Sequence, residues 1–300
     1  MKVLIAGGSG FIGKSLSKLL VEDGFEVAIL TRNPQSPYNS GVKEFYWNLQ
    51  SGSINIEAFN GVDVLINLAG ENIGAKRWSG AQKQLIELSR LSSSQLLFIT
   101  VASLPVKPKV YISASAIGLY GYDRGEQPMV ESDSCGVDFL AQVCQKWEQE
   151  AFRFQELGLR TCCVRTGIVL SNTGGALKQI LASLRFNVLF RFGSGNQPFP
   201  WIDIVDLCGV YKFLIKSTVS SGVYNATAPV CDNFNDVLNS IVRHQSKGVF
   251  VLMFPKFLLK LLFGKMATIL LCGSNISSLK IMDQGFVFRS NSVSDVLRQH

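Results

Sequence analysis

Gly7, Gly10 and Gly13 recur every third residue, between the apolar run Lys2 to Ala6 and a helical pattern carrying Leu16, Leu19 and Leu20 that stops at Gly24. Each glycine has a mechanical reason. One makes the tight turn out of a strand, one lets the backbone approach an anion, and one lets the helix lie close against the sheet. The N–H groups that open the helix, around Phe11, Ile12 and Gly13, then face negative charge that the helix dipole also favours. A second apolar run, Phe25 to Leu30, closes a βαβ unit of about thirty residues. The chemistry implied is capture of a dinucleotide pyrophosphate, since a plain strand–turn–helix has no use for three glycines in register.

The end of the second strand refines this. A unit that binds NAD ordinarily places a carboxylate there to accept from the ribose 2′-hydroxyl. This chain places Thr31 and Arg32 there, and no Asp or Glu lies between Glu26 and Glu44. An arginine in that position holds a 2′-phosphate, so the expected cofactor is NADP(H) rather than NAD(H). The bland alternative is a solvated loop arginine.

Further elements must position these residues. Val62 to Leu68 reads as a strand whose end opens into Ala69, Gly70 and Glu71. Leu68, Ala69 and Gly70 belong beside the cofactor, where small residues leave it room, and Glu71 is placed to bond a ribose or substrate hydroxyl. A helix is expected over about Ala81 to Val101; its Arg90 either reaches a phosphate or serves helix–helix packing. Lys109 to Ser113 is a strand ending in small polar residues, so Ser113 joins the cofactor-lining set. Asp138 to Leu157 reads as a helix, Thr161 to Leu170 as a strand, Asp206 to Lys216 as a helix, Gly222 to Ala226 as a strand and Asn233 to Arg243 as a helix. Strands alternating with helices through residue 170 predict an α/β chain with a doubly wound parallel sheet, covered on both faces. Residues 171–200 and 230–300 break that alternation and are expected to form a smaller α+β lobe, with 201–229 returning to the sheet.

Three hundred residues, 47% of them apolar, suffice for a sizeable core. The net charge of +7 suits anionic small molecules, and the absence of a dense aromatic–basic patch argues against nucleic acid. Seven cysteines without C-x-x-C spacing read as thiols of a reducing cytoplasm, with Cys162 and Cys163 on opposite faces of a strand. Two histidines, His244 and His300, leave no basis for a histidine-rich metal site, and no metal is expected. The N-terminal apolar run is too short for a signal peptide. The greasiest stretch, Val249 to Cys272, is interrupted by Pro255, Lys256, Lys260, Gly264 and Lys265. It reads as a strand followed by helices packed on the body, so a membrane is not expected as a partner; the minority alternative is a basic segment touching a membrane surface.

The stretches GGSGFIG (7–13), LTR (30–32), NLAGENI (67–73), SASAIGLYG (113–121), FLAQVCQKWE (139–148), RTGIVL (165–170), GGAL (174–177) and GSGNQPFPWI (193–202) are distributed in order along almost the whole chain. In these the chain resembles the extended short-chain dehydrogenase/reductase superfamily, and more closely its atypical "epimerase family protein" subgroup. The resemblance implies a Rossmann domain over 1–170, a substrate or lid lobe, and the subgroup's own C-terminal segment over 250–300. It also implies hydride transfer on a small-molecule substrate, and a homodimer is the oligomeric form usual in the superfamily. Such enzymes pair a Ser or Thr with a Tyr and a Lys four residues after it, one helical turn apart. None of the seven tyrosines here has lysine four positions later, and the helix that should carry the pair reads Phe139-Leu-Ala-Gln-Val143. Ser115 matches the family's Ser/Thr position and is the candidate to orient a substrate oxygen, unless it satisfies loop backbone. Tyr120 is a candidate proton donor, or a ring packed under the lid. Arg165 contacts cofactor or substrate, or forms a buried ion pair. Two functions follow: an NADP(H)-dependent oxidoreductase or epimerase-like enzyme, or an NADP(H)-binding sensor or scaffold with little catalysis.

Overall fold

The computed structural model describes residues 1–34, 41–122, 127–245 and 248–299. The loop expected over 33–42 falls mostly on residues 35–40, outside that set. Strands β1 (Lys2–Ala6), β2 (Glu26–Thr31), β3 (Val42–Asn48), β4 (Ser53–Ile54), β5 (Val64–Asn67), β6 (Val110–Ala116), β7 (Arg160–Thr166) and, later in the chain, Gly222–Ala226 form one sheet of eight strands. From Gly222–Ala226 inward the order runs β7, β6, β5, β1, β2, β3, β4, and every pairing but the last is parallel. The chain runs outward from β1 to β3 and then returns to β5 on the other side of β1. That reversal makes a crevice at the carboxyl ends of β1 and β5, the place where open α/β sheets hold ligands.

Alternating side chains feed two cores. Val3 and Ile5 of β1 meet α1 (Phe11–Glu22) through Leu16 and Leu20 on one face. Leu4 and Ala6 meet α2 (Gly80–Ser103) through Leu97 and Val101, and α3 (Phe139–Phe152) through Ala151, on the other. Both faces being covered explains why these strands read as continuous apolar runs. Cys162 and Cys163 do divide between the two cores. Ser79 caps α2 by accepting from the Gln82 N–H, and Asp138 caps α3 by accepting from Leu140 and Ala141.

The expected single strand 161–170 is two. After β7 the chain leaves the sheet at Gly167 and continues as β8 (Ile168–Leu170). A Cβ at Gly167 would stand 2.7 Å from the Pro200 carbonyl oxygen, so only glycine permits this crossing. The lobe then contributes α4 (Gly175–Leu181), β9 (Val188–Phe192), β10 (Pro198–Phe199) and β11 (Trp201–Asp203), the last pairing with β8. The chain returns through α5 (Ile204–Lys216) to β12 (Gly222–Ala226), then enters β13 (Asp232–Asn233) and α6 (Phe234–His244). It ends in β14 (Phe250–Phe254), α7 (Lys256–Phe263), α8 (Thr268–Leu271), α9 (Leu279–Asp283) and α10 (Val293–Gln299). Leu177, Leu189, Trp201, Val237, Ile241 and Val296 build a core of the lobe's own. Asp206 of α5 accepts from the Arg289 and Ser290 N–H groups at 2.8 and 2.9 Å, tying the C-terminal segment to the sheet domain.

The stretch after Val249 is less enclosed than its composition predicts. Among the described residues β14 pairs only with β9, four of its five residues are exposed, and α7 buries only Leu259. Two strands cannot cover both faces of each other, so the apolar run stays open where the expected packing on the body would have closed it.

Candidate active site

The glycine turn sits at the crevice. Gly7 adopts φ +77°, and a Cβ there would lie 2.8 Å from the Ala69 nitrogen. A Cβ at Gly13 would lie 2.6 Å from the Gly7 oxygen and from the Gly8 Cα. The turn is therefore wedged between the end of β5 and the first turn of α1. No side chain caps α1, whose N-cap is Gly10, and its first turn carries no acid, so the helix end offers its N–H groups to an anion. The Phe11 ring lies against Gly174, where a Cβ would come within 2.6 Å of it. The start of the lobe thus roofs the turn. Thr31 is buried at the end of β2 and Arg32 beside it is exposed.

Across the crevice, Asn67 holds the loop Leu68-Ala69-Gly70-Glu71. Its carbonyl accepts from the Ala69 N–H at 3.1 Å. Its amide donates to Ser93, Ser94 and Tyr111, at 3.1, 3.3 and 3.3 Å. Ser89 accepts from the Glu71 N–H at 2.9 Å. Arg90 donates to the Glu71 and Ile86 carbonyls at 3.1 and 2.9 Å, with its guanidinium 5.0 Å from the Trp147 ring and directly beneath Gly70. Its NH1 thus holds loop backbone and its plane faces α3. Among the described residues the Glu71 carboxylate takes a long bond, 3.5 Å, from Gln82. Ser113 is fully buried and donates to the Ala114 carbonyl, so it shapes the strand end from within.

Ser115, Tyr120 and Arg165 come together, as none of the local motifs requires. Ser115 and Arg165 are register partners on β6 and β7, and their side chains share the face that meets α3. Ser115 Oγ donates to Glu148 Oε1 at 2.6 Å. Arg165 grips both Glu148 oxygens, at 2.8 and 2.9 Å, and donates to the Tyr120 hydroxyl at 2.8 Å. Tyr120 in turn donates to Asn225 Oδ1 at 2.7 Å, and Asn225 donates to the Ser277 carbonyl of the C-terminal segment. Burial pushes the Tyr120 phenol up to about 12, against the nearby Arg165 charge. Its hydrogen is directed to Asn225 and its ring is fully buried, the packed-ring alternative, with the hydroxyl engaged inside the protein. Arg165 takes the ion-pair form of its two alternatives. The Ser115 donor is also used, but its lone pairs are not accounted for by Glu148. Glu148 and Arg165 further line a cavity of about 520 Å³ that includes Asp133, Gln145 and Gln149.

Sequence reasoning did not single out Asn67, Asn225 or the pairing of Glu148 with Ser115. Asn67 at the end of an apolar strand was the visible signal, because a buried amide must find partners. Asn225 had no such signal, its partner Tyr120 being 105 residues away. Gln197 donates to the Phe192 and Leu270 carbonyls and Trp201 to Asp232, so both hold the lobe's own loops. Lys146 lies at the surface in an ion pair with Glu87. Among the described residues, no group of three His, Cys, Asp or Glu is placed to hold a metal.

A parallel sheet of this order, with a glycine turn and an open helix N-terminus at its switch point, defines a Rossmann-type α/β protein. Comparison with known sequences agrees. The chain belongs to the NAD dependent epimerase/dehydratase family, whose model matches residues 3–227, and residues 254–299 match a domain of unknown function, DUF1731. It is 33% identical to an Epimerase family protein of Mycobacterium leprae, covering 98% of this chain and 94% of that one. To an Epimerase family protein of Staphylococcus aureus it is 32% identical, covering 98% and 97%. The human epimerase family protein solved with NADPH superposes with a TM-score of 0.88 at 28% identity, covering 100% of this chain and 98% of that one.

Proposed function

We propose that the protein is an NADP(H)-dependent oxidoreductase or epimerase-like enzyme acting on a small carbonyl or hydroxyl compound, sugar nucleotides included. The observation that carries this reading is the glycine turn packed to contact at the crevice, where a Cβ at Gly7 or Gly13 would leave no room. Such a turn exists to bring backbone N–H groups to a pyrophosphate. The α1 N-terminus would hold the pyrophosphate, Leu68 to Glu71 would line the adjoining ribose, and exposed Arg32 would pair with a 2′-phosphate. The human relative solved with NADPH supports the choice of phosphate.

Bound there, the cofactor supplies a nicotinamide ring that exchanges hydride with a substrate carbon. Ser115 orients the substrate oxygen. Because its hydrogen is directed at Glu148, the lone pairs of its oxygen suit a donor, so a substrate hydroxyl fits better than a carbonyl in the resting arrangement. On oxidation of an alcohol, the hydroxyl proton moves to Ser115 Oγ as the Ser115 proton moves to Glu148, which borders the cavity beyond.

The test is absorbance at the NADPH band over a panel of sugar nucleotides, aldehydes, ketones and their alcohols, followed by single-turnover measurements on Ser115→Ala. Hydride transfer that is lost in the variant while NADPH binding persists supports the reading. Tight NADPH binding with no turnover across the panel would instead favour a cofactor-binding sensor, the reading suggested by the committed hydroxyl of Tyr120.

A further inference from the structure

The lobe presents an apolar and basic face that no other described element covers. Phe250 to Met253 of β14 are exposed on both sides of the strand, although a run of apolar residues ordinarily marks a strand buried on both faces. The parallel pairing with β9 sets Leu252 beside Phe190, which is itself exposed. After Pro255 the chain enters α7, where Phe257 and Leu261 stand one turn apart and are 72% and 68% exposed. Isolated exposed apolar residues are ordinary, but a contiguous set on adjoining elements marks an interaction surface.

Charge identifies what covers it. The 46 residues from Val237 to Met282 contain six Lys or Arg and no Asp or Glu. The stretch from Leu157 to Ile202, which supplies β9, also lacks any acid. The chain's net charge of +7 is therefore concentrated in the lobe. Lys256 and Lys260 are exposed, one turn apart on α7, beside Phe257 and Leu261. A second copy docked on this face would bring two lysine sets together with no carboxylate on either segment to offset them. An anionic lipid surface accepts both components, the phenyl and leucyl side chains below the headgroups and the ammonium groups among the phosphates.

We propose that this face docks the protein onto an anionic phospholipid bilayer, with Phe250, Leu252, Phe257 and Leu261 entering the headgroup boundary and Lys256 and Lys260 on lipid phosphates. This reverses the expectation that a membrane is no partner. That expectation assumed the stretch after Val249 to be packed on the body, and its apolar side chains are open instead. Docking is peripheral, since no helix among the described residues is long and apolar enough to cross a membrane. The face also touches the sheet domain. Gly264, directly after α7, lies against Arg77 of the loop between β5 and α2, where a Cβ would come within 2.9 Å of Arg77 Nε.

The test is sedimentation of the whole chain with phosphatidylcholine vesicles, with and without phosphatidylglycerol, at low salt. Pelleting with the anionic vesicles alone is expected. Lys256→Gln with Lys260→Gln should lower partitioning about 25-fold, since each basic residue near such a surface counts for about fivefold. Phe257→Ser with Leu261→Ser should lower it about tenfold or more. Phe257→Trp should shift its emission to the blue on adding anionic vesicles. These side chains are exposed, so the variants should fold, with circular dichroism and NADPH binding as checks. Absence of pelleting at low salt, equal pelleting with phosphatidylcholine alone, or indifference to both double variants would overturn the proposal. A dimer that ignores vesicles and dissociates in the Phe257→Ser, Leu261→Ser variant would assign the face to a second copy.

Discussion

Ser115 on the sixth strand gives its hydroxyl hydrogen to Glu148 on the third long helix, 2.6 Å away, while Arg165 holds both oxygens of the same carboxylate. Three elements distant in sequence thus meet at one buried carboxylate. The helix on which the family resemblance placed a Tyr–Lys pair has Phe139 and Val143 at those positions, and Glu148 further along it is the residue tied to Ser115.

Breaking the ion pair on one side should be costly. Arg165→Met leaves the Glu148 carboxylate buried without a counter-charge, and Glu148→Leu strands the guanidinium. Each should destabilise by about 3–5 kcal/mol in urea unfolding, and the double variant by less than the two together. Single losses below about 1 kcal/mol would show that water or another group replaces the missing partner.

Gly13→Ala should abolish NADPH binding in calorimetry and lower the melting temperature, because the new Cβ would stand 2.6 Å from the Gly7 oxygen. Gly80→Ala is the control. It opens the second helix with nothing within 4 Å of its Cβ, so it should leave both properties unchanged. Retained binding in Gly13→Ala would remove the main support for a dinucleotide at this turn.

Arg32→Ala should weaken NADPH about 10- to 150-fold, the worth of a hydrogen bond to a charged group of roughly 1.5–3 kcal/mol, and leave NADH little affected. Equal losses for both cofactors, measured by fluorescence titration, would show that Arg32 does not read the 2′-phosphate.

Alkali should unfold the protein through its buried tyrosines. Burial pushes the Tyr111 and Tyr120 phenols up to about 12, against about 10 in an unfolded chain. A phenol whose folded pKa is raised stabilises the fold fully below the unfolded value, and that stabilisation disappears as pH rises through the folded one. Stability should therefore decline between about pH 10 and about pH 12, with phenolate absorbance of these residues appearing together with loss of circular dichroism. Ionisation of both near pH 10 in a still-folded chain would contradict their burial.

The sequence by itself determined the dinucleotide half of this protein. The three glycines and the strand ending in Asn67-Leu-Ala-Gly70 are local devices. A turn, a helix N-terminus and a strand end are each built from residues within a few positions of one another, and periodicity exposes them. The alternation of strands and helices fixed the parallel sheet for the same reason. Only the tertiary structure decided what the chemistry-bearing residues beyond that half do. Tyr120 directs its hydroxyl hydrogen to Asn225, 105 residues on. Arg165 and Glu148 found each other across a strand and a helix, and in doing so engaged Ser115. No spacing rule connects such residues, because their contacts depend on how the sheet stacks β6 against β7 beneath α3. The stretch after Val249 shows the same limit in reverse. Its apolar residues suggested burial, and only the count of elements available to cover them left Phe250 to Met253 and α7 open.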